Sequence, residues 1–207
     1  MSDTPLGRFA WYELLTSDAD AAPGFYAPIT GWVPTPMDMP DMPYTLWMNG
    51  EAPVGGVMKL PEEAAAGGAP PHWLVHISTP DLDQTVAKAK GLGANILNTI
   101  DVPEVGRFAI VSDPQGAVFS AYQPEGDTPG HDGPPAVGEF SWNELLTTDF
   151  EAAFTFYSEL FGWKLDHDMD MGPMGTYRVY NRGAHPLGGI MNKPENVPYP
   201  SWMFYIR

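Results

Sequence analysis

The sequence predicts an α+β fold assembled from repeated strand–helix–strand units, and three observations carry that prediction. The first is internal duplication: FAWYELLTSDADAAPGFYAPITGW from Phe9 is restated as FSWNELLTTDFEAAFTFYSELFGW from Phe140, with 13 of 24 positions identical. The second is periodicity, since each copy opens on a β-prone, partly alternating run and passes into a stretch with helical spacing. The third is a downstream echo with two residues inserted, Tyr44, Gly55, Gly56 and Met58 answering Tyr177, Gly188, Gly189 and Met191.

The elements follow in order. In the second copy FSWNELL reads as a strand, and Thr148, three residues before Glu151, as a capping box. Phe150, Ala153, Phe154, Tyr157, Leu160 and Phe161 then form one apolar helical stripe closed by Gly162. The first copy puts Pro23, Gly24 and Pro28 inside the same helix, which predicts kinking or shortening near Pro23. A divergent unit lies between the copies: HWLVHI as strand, PDLDQTVAKAKGLG as helix, then NILNTI, GRFAIVSD and GAVFSAYQP as strands, with Asp113–Gly116 as a turn. PHWLVHI at Pro71 is echoed by PSWMFYI at Pro200, the first strand of a fourth unit expected to be truncated. Residues 1–127 form the expected first domain (units 7–60 and 72–124), 128–137 a linker rich in Gly, Pro and Asp, and 138–207 an incomplete second domain, unit 138–194 plus that strand.

Composition narrows function. Of 207 residues 43% are hydrophobic and 13% aromatic, enough for a real core. No apolar run reaches the roughly 18 residues of a membrane span, and MSDTPLGRF shows no secretory signal, so a cytoplasmic protein is expected. There is no cysteine, hence no disulfide, thiolate metal site or cysteine nucleophile. A net charge of −16 disfavours nucleic acid as a partner. Phosphate-cradling glycine loops, HExxH and GxSxG are absent.

Glu13 is the residue with most chemical promise. Period-two geometry places it on one strand face with Phe9, Trp11 and Leu15, and a carboxylate among large apolar groups must find a partner or change its proton affinity. Glu144 repeats this beside Trp142. His76 is positioned to pair with Glu13 as a proton-moving couple, although a buried structural role fits the same residues. Trp11, Tyr44 and Tyr122 offer stacking surface and Ser120 a polar anchor, with Trp142, Glu144 and Tyr177 as counterparts in the second copy. His131 is placed in the linker, and His167 and His185 in loops without an assignable partner. The Met- and Asp-dense segments Pro36–Pro43 and Asp166–Met174 read as turn-rich connections, a pliable lid, or less readily a thioether copper site.

The Thr16–Asp18–Phe25–Tyr26–Gly31–Trp32 run, its repeat from Thr147 to Trp163, and the DPQGAVF turn-strand resemble the glyoxalase / bleomycin-resistance / extradiol dioxygenase superfamily (vicinal oxygen chelate), and most of all its tandem glyoxalase-like actinobacterial members. The resemblance implies βαβββ units pairing into open, curved mixed sheets whose hollow holds a small ligand, often with a divalent metal. It also implies metal ligands on the first strand of each unit and a Glu on the last. Those positions fall on Trp11, Trp142 and Ser120, with His76 alone near register, so the metal triad is not expected to carry over and no cofactor is predicted. The expected activity is binding of a small organic molecule in an aromatic-lined cleft. The alternative is a metal-dependent lyase, isomerase or dioxygenase using Glu13 and His76. A homodimer through the open sheet of the incomplete domain is a further expectation.

Overall fold

A computed structural model describes residues 4–37, 43–183 and 185–207. The first repeat runs β1 (Phe9–Thr16), α1 (Ala22–Thr30), β2 (Val33–Met37), β3 (Tyr44–Asn49) and β4 (Ala52–Lys59). A short α2 (Glu62–Ala66) leads to the middle unit: β5 (His72–Ser78), α3 (Leu82–Gly91), β6 (Asn95–Val102), β7 (Gly106–Ser112) and β8 (Val118–Pro124). The second repeat follows as β9 (Phe140–Thr147), α4 (Phe150–Phe161), β10 (Lys164–Asp170), β11 (Thr176–Asn181) and β12 (Pro186–Asn192), then β13 (Ser201–Ile206).

The first two units share one eight-stranded mixed sheet, ordered β2-β3-β4-β1-β5-β8-β7-β6. Its middle is a parallel β4–β1 pair joined through antiparallel β1–β5 to a parallel β5–β8 pair. The second sheet, β10-β11-β12-β9-β13, reproduces the order β2-β3-β4-β1-β5. Both sheets are open, as the α+β expectation requires. Among the described residues no helix is long and apolar enough to cross a membrane.

The helices show how local chemistry shapes the repeats. α4 begins at Phe150 and ends at Gly162, whose left-handed φ of 73° lets its N–H close on Ser158 O. Its cap is Asp149, whose carboxylate accepts from Glu151 N and Ala152 N; Thr148 instead donates to the Gln115 side chain, which corrects the capping-box expectation. Aspartate wins because its short side chain already faces the free N–H groups of the first turn. α1 is nine residues against twelve for α4, starting later with Pro23 in its first turn, where a missing N–H costs nothing. Its shortening is thus at the start, and Pro28 is carried inside the helix.

The Asp166–Met174 expectation needs correction. Residues up to Asp170 form edge strand β10, pairing with β11, and only Gly172–Met174 form a 3-10 turn. Every residue of β10 is exposed, so no apolar alternation marks it. His167 is held by Asp166 at 2.7 Å and Asp168 by Arg178 at 2.7 Å. His131, likewise not partnerless, meets Glu139 at 3.0 Å. Of Pro36–Pro43, residues 38–42 lie outside the described residues.

The repeats lock together reciprocally. Trp32 donates its indole N–H to Gly138 O at 2.7 Å, and Trp163 donates to Gly7 O at 2.8 Å. Each glycine stands two residues before the first strand of the opposite copy, at φ 85° and 78°, a conformation other residues adopt only with strain. Tyr12 donates to Asn143 Oδ1 at 2.7 Å, and these two residues are each other's counterparts. Equivalent residues meeting equivalent residues describe an approximate twofold axis through the Tyr12–Asn143 contact. Around it Phe9, Val75, Ile77, Phe119, Leu145, Tyr157, Trp163, Tyr180 and Trp202 form one continuous core.

Candidate functional site

The candidate site lies on the face of the eight-stranded sheet turned away from that core. An irregularity in the β1–β5 pairing between Phe9 and Trp11 breaks the period of two. Phe9 therefore enters the core, stacked 5.1 Å from Trp163, whereas Trp11, Glu13 and Leu15 keep the opposite face. The expectation that Phe9 shares their face is corrected.

Register brings the partners in. Trp11 lies opposite His76 and Glu13 opposite Leu74 across β1–β5, and Ser120 lies beside His76 across β5–β8. The Trp11 indole donates to the Tyr44 hydroxyl at 2.8 Å. The Tyr44 hydroxyl in turn lies within the field of the Glu13 carboxylate. Burial first, and then the Glu13 charge, push the Tyr44 phenol well above its ordinary range, so it stays protonated. Glu13 Oε2 lies 3.6 Å from His76 Nε2, too far for a hydrogen bond and close enough for charge coupling.

His76 is the chemically unsettled member. It is 5% exposed, and neither ring nitrogen has a hydrogen-bond partner among the described residues. Such groups are rare in folded proteins because an unmade bond costs about 1–3 kcal/mol. Phe108 meets its ring edge-on at 5.2 Å, and Tyr122 stacks on Phe108 at 4.6 Å. Tyr122 spends its hydroxyl on Val105 O at 3.0 Å and so contributes wall rather than polar anchor. Ser120 is fully buried, with its Oγ a marginal 3.5 Å from Ala121 O.

The second copy rebuilds the relay with one change. Trp142 donates to Tyr177 at 2.6 Å, and Tyr177 donates to Glu144 Oε2 at 2.8 Å. The position opposite Trp142, equivalent to His76, is Tyr205, whose phenol is raised by burial first and then by the Glu144 charge. One copy thus couples its carboxylate to an imidazole and the other to a second phenol. Tyr205, 43% exposed, lies on the outer strand of its sheet.

The paired glycines explain the relay's geometry. A Cβ on Gly56 would collide with the hydroxyl and ring of Tyr44, and one on Gly189 with those of Tyr177. Gly56→Ala is expected to cost about 1–3 kcal/mol through overpacking and to displace the Tyr44 ring from the Trp11 indole. A urea titration with near-ultraviolet circular dichroism checks this; an unchanged midpoint and tyrosine signal would refute it. Nothing in the sequence near Phe108 marks it as a wall of the site, whereas Tyr205 is legible once PSWMFYI is aligned on PHWLVHI.

The glyoxalase-like domain profile matches residues 12–122, more than half of the chain. The chain belongs to the glyoxalase-like domain family. It is 40% identical over 120 residues to the Mycobacterium tuberculosis (strain CDC 1551 / Oshkosh) protein named "Putative glyoxylase CFP32", covering 57% of this chain and 44% of that one. It is 36% identical over 118 residues to the anthracycline biosynthesis protein DauV of Streptomyces sp. (strain C5), covering 56% and 42%. These matches span less than half of either relative. Among solved structures, the Mn(II)-bound glyoxalase from Novosphingobium aromaticivorans superposes with a TM-score of 0.63 at 16% identity, covering 94% of this chain and 64% of that one. Homoprotocatechuate 2,3-dioxygenase from Brevibacterium fuscum gives 0.63 at 16% identity, covering 91% and 61%. Identities this low establish the shared fold alone.

The fold neighbours raise the question of a metal. Among the described residues no group of three or more His, Cys, Asp or Glu side chains converges. Glu13 and His76 make two donors, and their neighbours in register are Trp11, Leu74 and Ser120. A catalytic metal usually takes three protein ligands, so this donor set does not fit one.

Proposed function

We propose that the Trp11–Glu13–His76 face binds a small planar organic molecule bearing an acidic hydroxyl or enol. The observation that carries this reading is His76: a buried imidazole with two unpaired nitrogens, coupled to a carboxylate and walled by aromatic rings. A ligand hydroxyl between His76 and Glu13 would satisfy the orphan nitrogen, while Trp11, Phe108 and Tyr122 would cover the ring system. Apolar walls with a few convergent polar groups are the usual make-up of a ligand site. The kinship with an anthracycline biosynthesis protein supports a polycyclic phenol as the first probe.

A second reading adds catalysis of the lyase or isomerase kind. The same couple favours it, because His76 can take a proton from a hydroxyl or from a carbon beside a carbonyl while Glu13 stabilises the imidazolium. The second copy, with Tyr205 in place of His76, would bind without moving protons.

Tryptophan-fluorescence titration with an anthracycline tests the site. Wild type is expected to show saturable quenching. Glu13→Gln should weaken binding by roughly 10- to 100-fold, the worth of a hydrogen bond to a charged group. Trp11→Ala should weaken it comparably without unfolding the chain. Equal affinity in all three proteins would remove this face from consideration.

A further inference from the structure

A separate cavity of about 510 Å³ lies between the two sheets, beside the approximate twofold axis and on the other side of β1 from Glu13. Phe9, Tyr12, Phe140 and Leu187 give it apolar walls. At its rim two guanidiniums from opposite repeats converge on one carboxylate. Arg8 grips Asp132 through Nε at 3.2 Å and Nη2 at 2.5 Å, and Arg182 Nη2 binds the same Asp132 Oδ1. The arginine side chains are only 18% and 20% exposed, whereas Asp132 is half-exposed and belongs to the segment between β8 and β9, which has no regular structure.

One arginine would suffice to fasten a linker. Bringing two like charges together in a partly buried place is costly unless an anion sits between them, and paired planar forks are how proteins recognise carboxylate or phosphate. The investment is conspicuous in a chain with 10 basic against 26 acidic residues. The cavity has the size, domain-interface position and apolar lining of a ligand site.

We propose that this cavity is a second binding site, for an organic anion with an apolar body, and that Asp132 is a resident stand-in displaced by the ligand's carboxylate or phosphate. A tethered competitor acts at an effective concentration on the order of millimolar, so wild type binds weakly and loss of the Asp132 charge tightens binding.

Calorimetric titration with 2-naphthoate, and separately with inorganic phosphate, tests the proposal. Asp132→Asn is expected to bind 2-naphthoate at least about tenfold more tightly than wild type, and adding Arg182→Gln should abolish the gain. No uptake at millimolar probe by folded Asp132→Asn would overturn the site. Phosphate binding as tight as naphthoate would overturn the apolar body. If Asp132→Asn does not fold, wild type decides: saturating 2-naphthoate should speed proteolysis within residues 128–137, and an unchanged rate overturns displacement. Trp11→Ala separates this site from the one on the opposite face: a loss of naphthoate affinity there would place the probe in that face and refute this cavity.

Discussion

Trp163→Ala is expected to destabilise the chain by about 3–5 kcal/mol, the usual cost of removing a buried aromatic side chain and leaving a cavity. Trp163 is 2% exposed and lies between rings, 4.6 Å from Tyr180, 5.1 Å from Phe9 and 5.4 Å from Tyr157, each nearly parallel. Its indole N–H also holds Gly7 O, so one residue joins the end of α4 to the entrance of β1. Trp163→Phe separates the contributions, keeping much of the stacking and losing a hydrogen bond worth about 1 kcal/mol. Urea denaturation with an unchanged slope should show the alanine variant far below the phenylalanine one. A loss of less than 1 kcal/mol in Trp163→Ala would mean that this joint is not packed as described.

The same tryptophan shows what one sequence reveals and what it hides. Its place in the repeated Gly-Trp pair was plain, and so were the strand, helix and turn around it, because those depend on spacing and local backbone chemistry. That its N–H crosses to the glycine of the opposite copy was not legible, since nothing near residue 163 refers to residue 7. Local alternatives also decided smaller points. Thr148 and Asp149 both suit a helix start, and only the backbone path shows which one faces the free N–H groups. β10 lacks alternation because every residue on it is exposed, so an edge strand reads as a loop.

At the candidate site, the juxtaposition of Trp11 and Glu13 with His76 is legible because period-two geometry aligns the first two and a charge placed among apolar groups calls for a partner. Phe9 was misplaced by the same rule: one pairing irregularity inverts every side chain beyond it. Tyr44 reads in sequence as a stacking surface, yet its hydroxyl also accepts the Trp11 indole N–H and is raised in part by the Glu13 charge. The repeated Gly55–Gly56 pair does not identify in sequence what packs against it, and the structure supplies Tyr12 O and the Tyr44 ring.

Alkaline pH is expected to unfold this protein steeply, and the cause lies in the same aromatic chemistry. Tyr12, Tyr157 and Tyr180 in the core and Tyr44 at the site all have phenols raised above the ordinary value near 10, in each case chiefly by burial. Between 10 and their raised values the folded chain keeps protons that the unfolded chain has released. The unfolded state then binds fewer protons, so stability is complete below pH 10 and declines as pH rises above it. Each such tyrosine contributes a slope of up to about 1.4 kcal/mol per pH unit, and Tyr122, Tyr177 and Tyr205, raised chiefly by burial as well, add to it. Against a typical total of about 5–15 kcal/mol, unfolding should come within one to three units above pH 10. Tyrosinate absorbance should rise together with the loss of circular dichroism, as one transition. Tyr12→Phe should flatten the decline, whatever its effect on stability at neutral pH. Four tyrosinates appearing near pH 10 while the sheets remain folded would show that these hydroxyls reach water, and the joint between the repeats would then be open rather than closed.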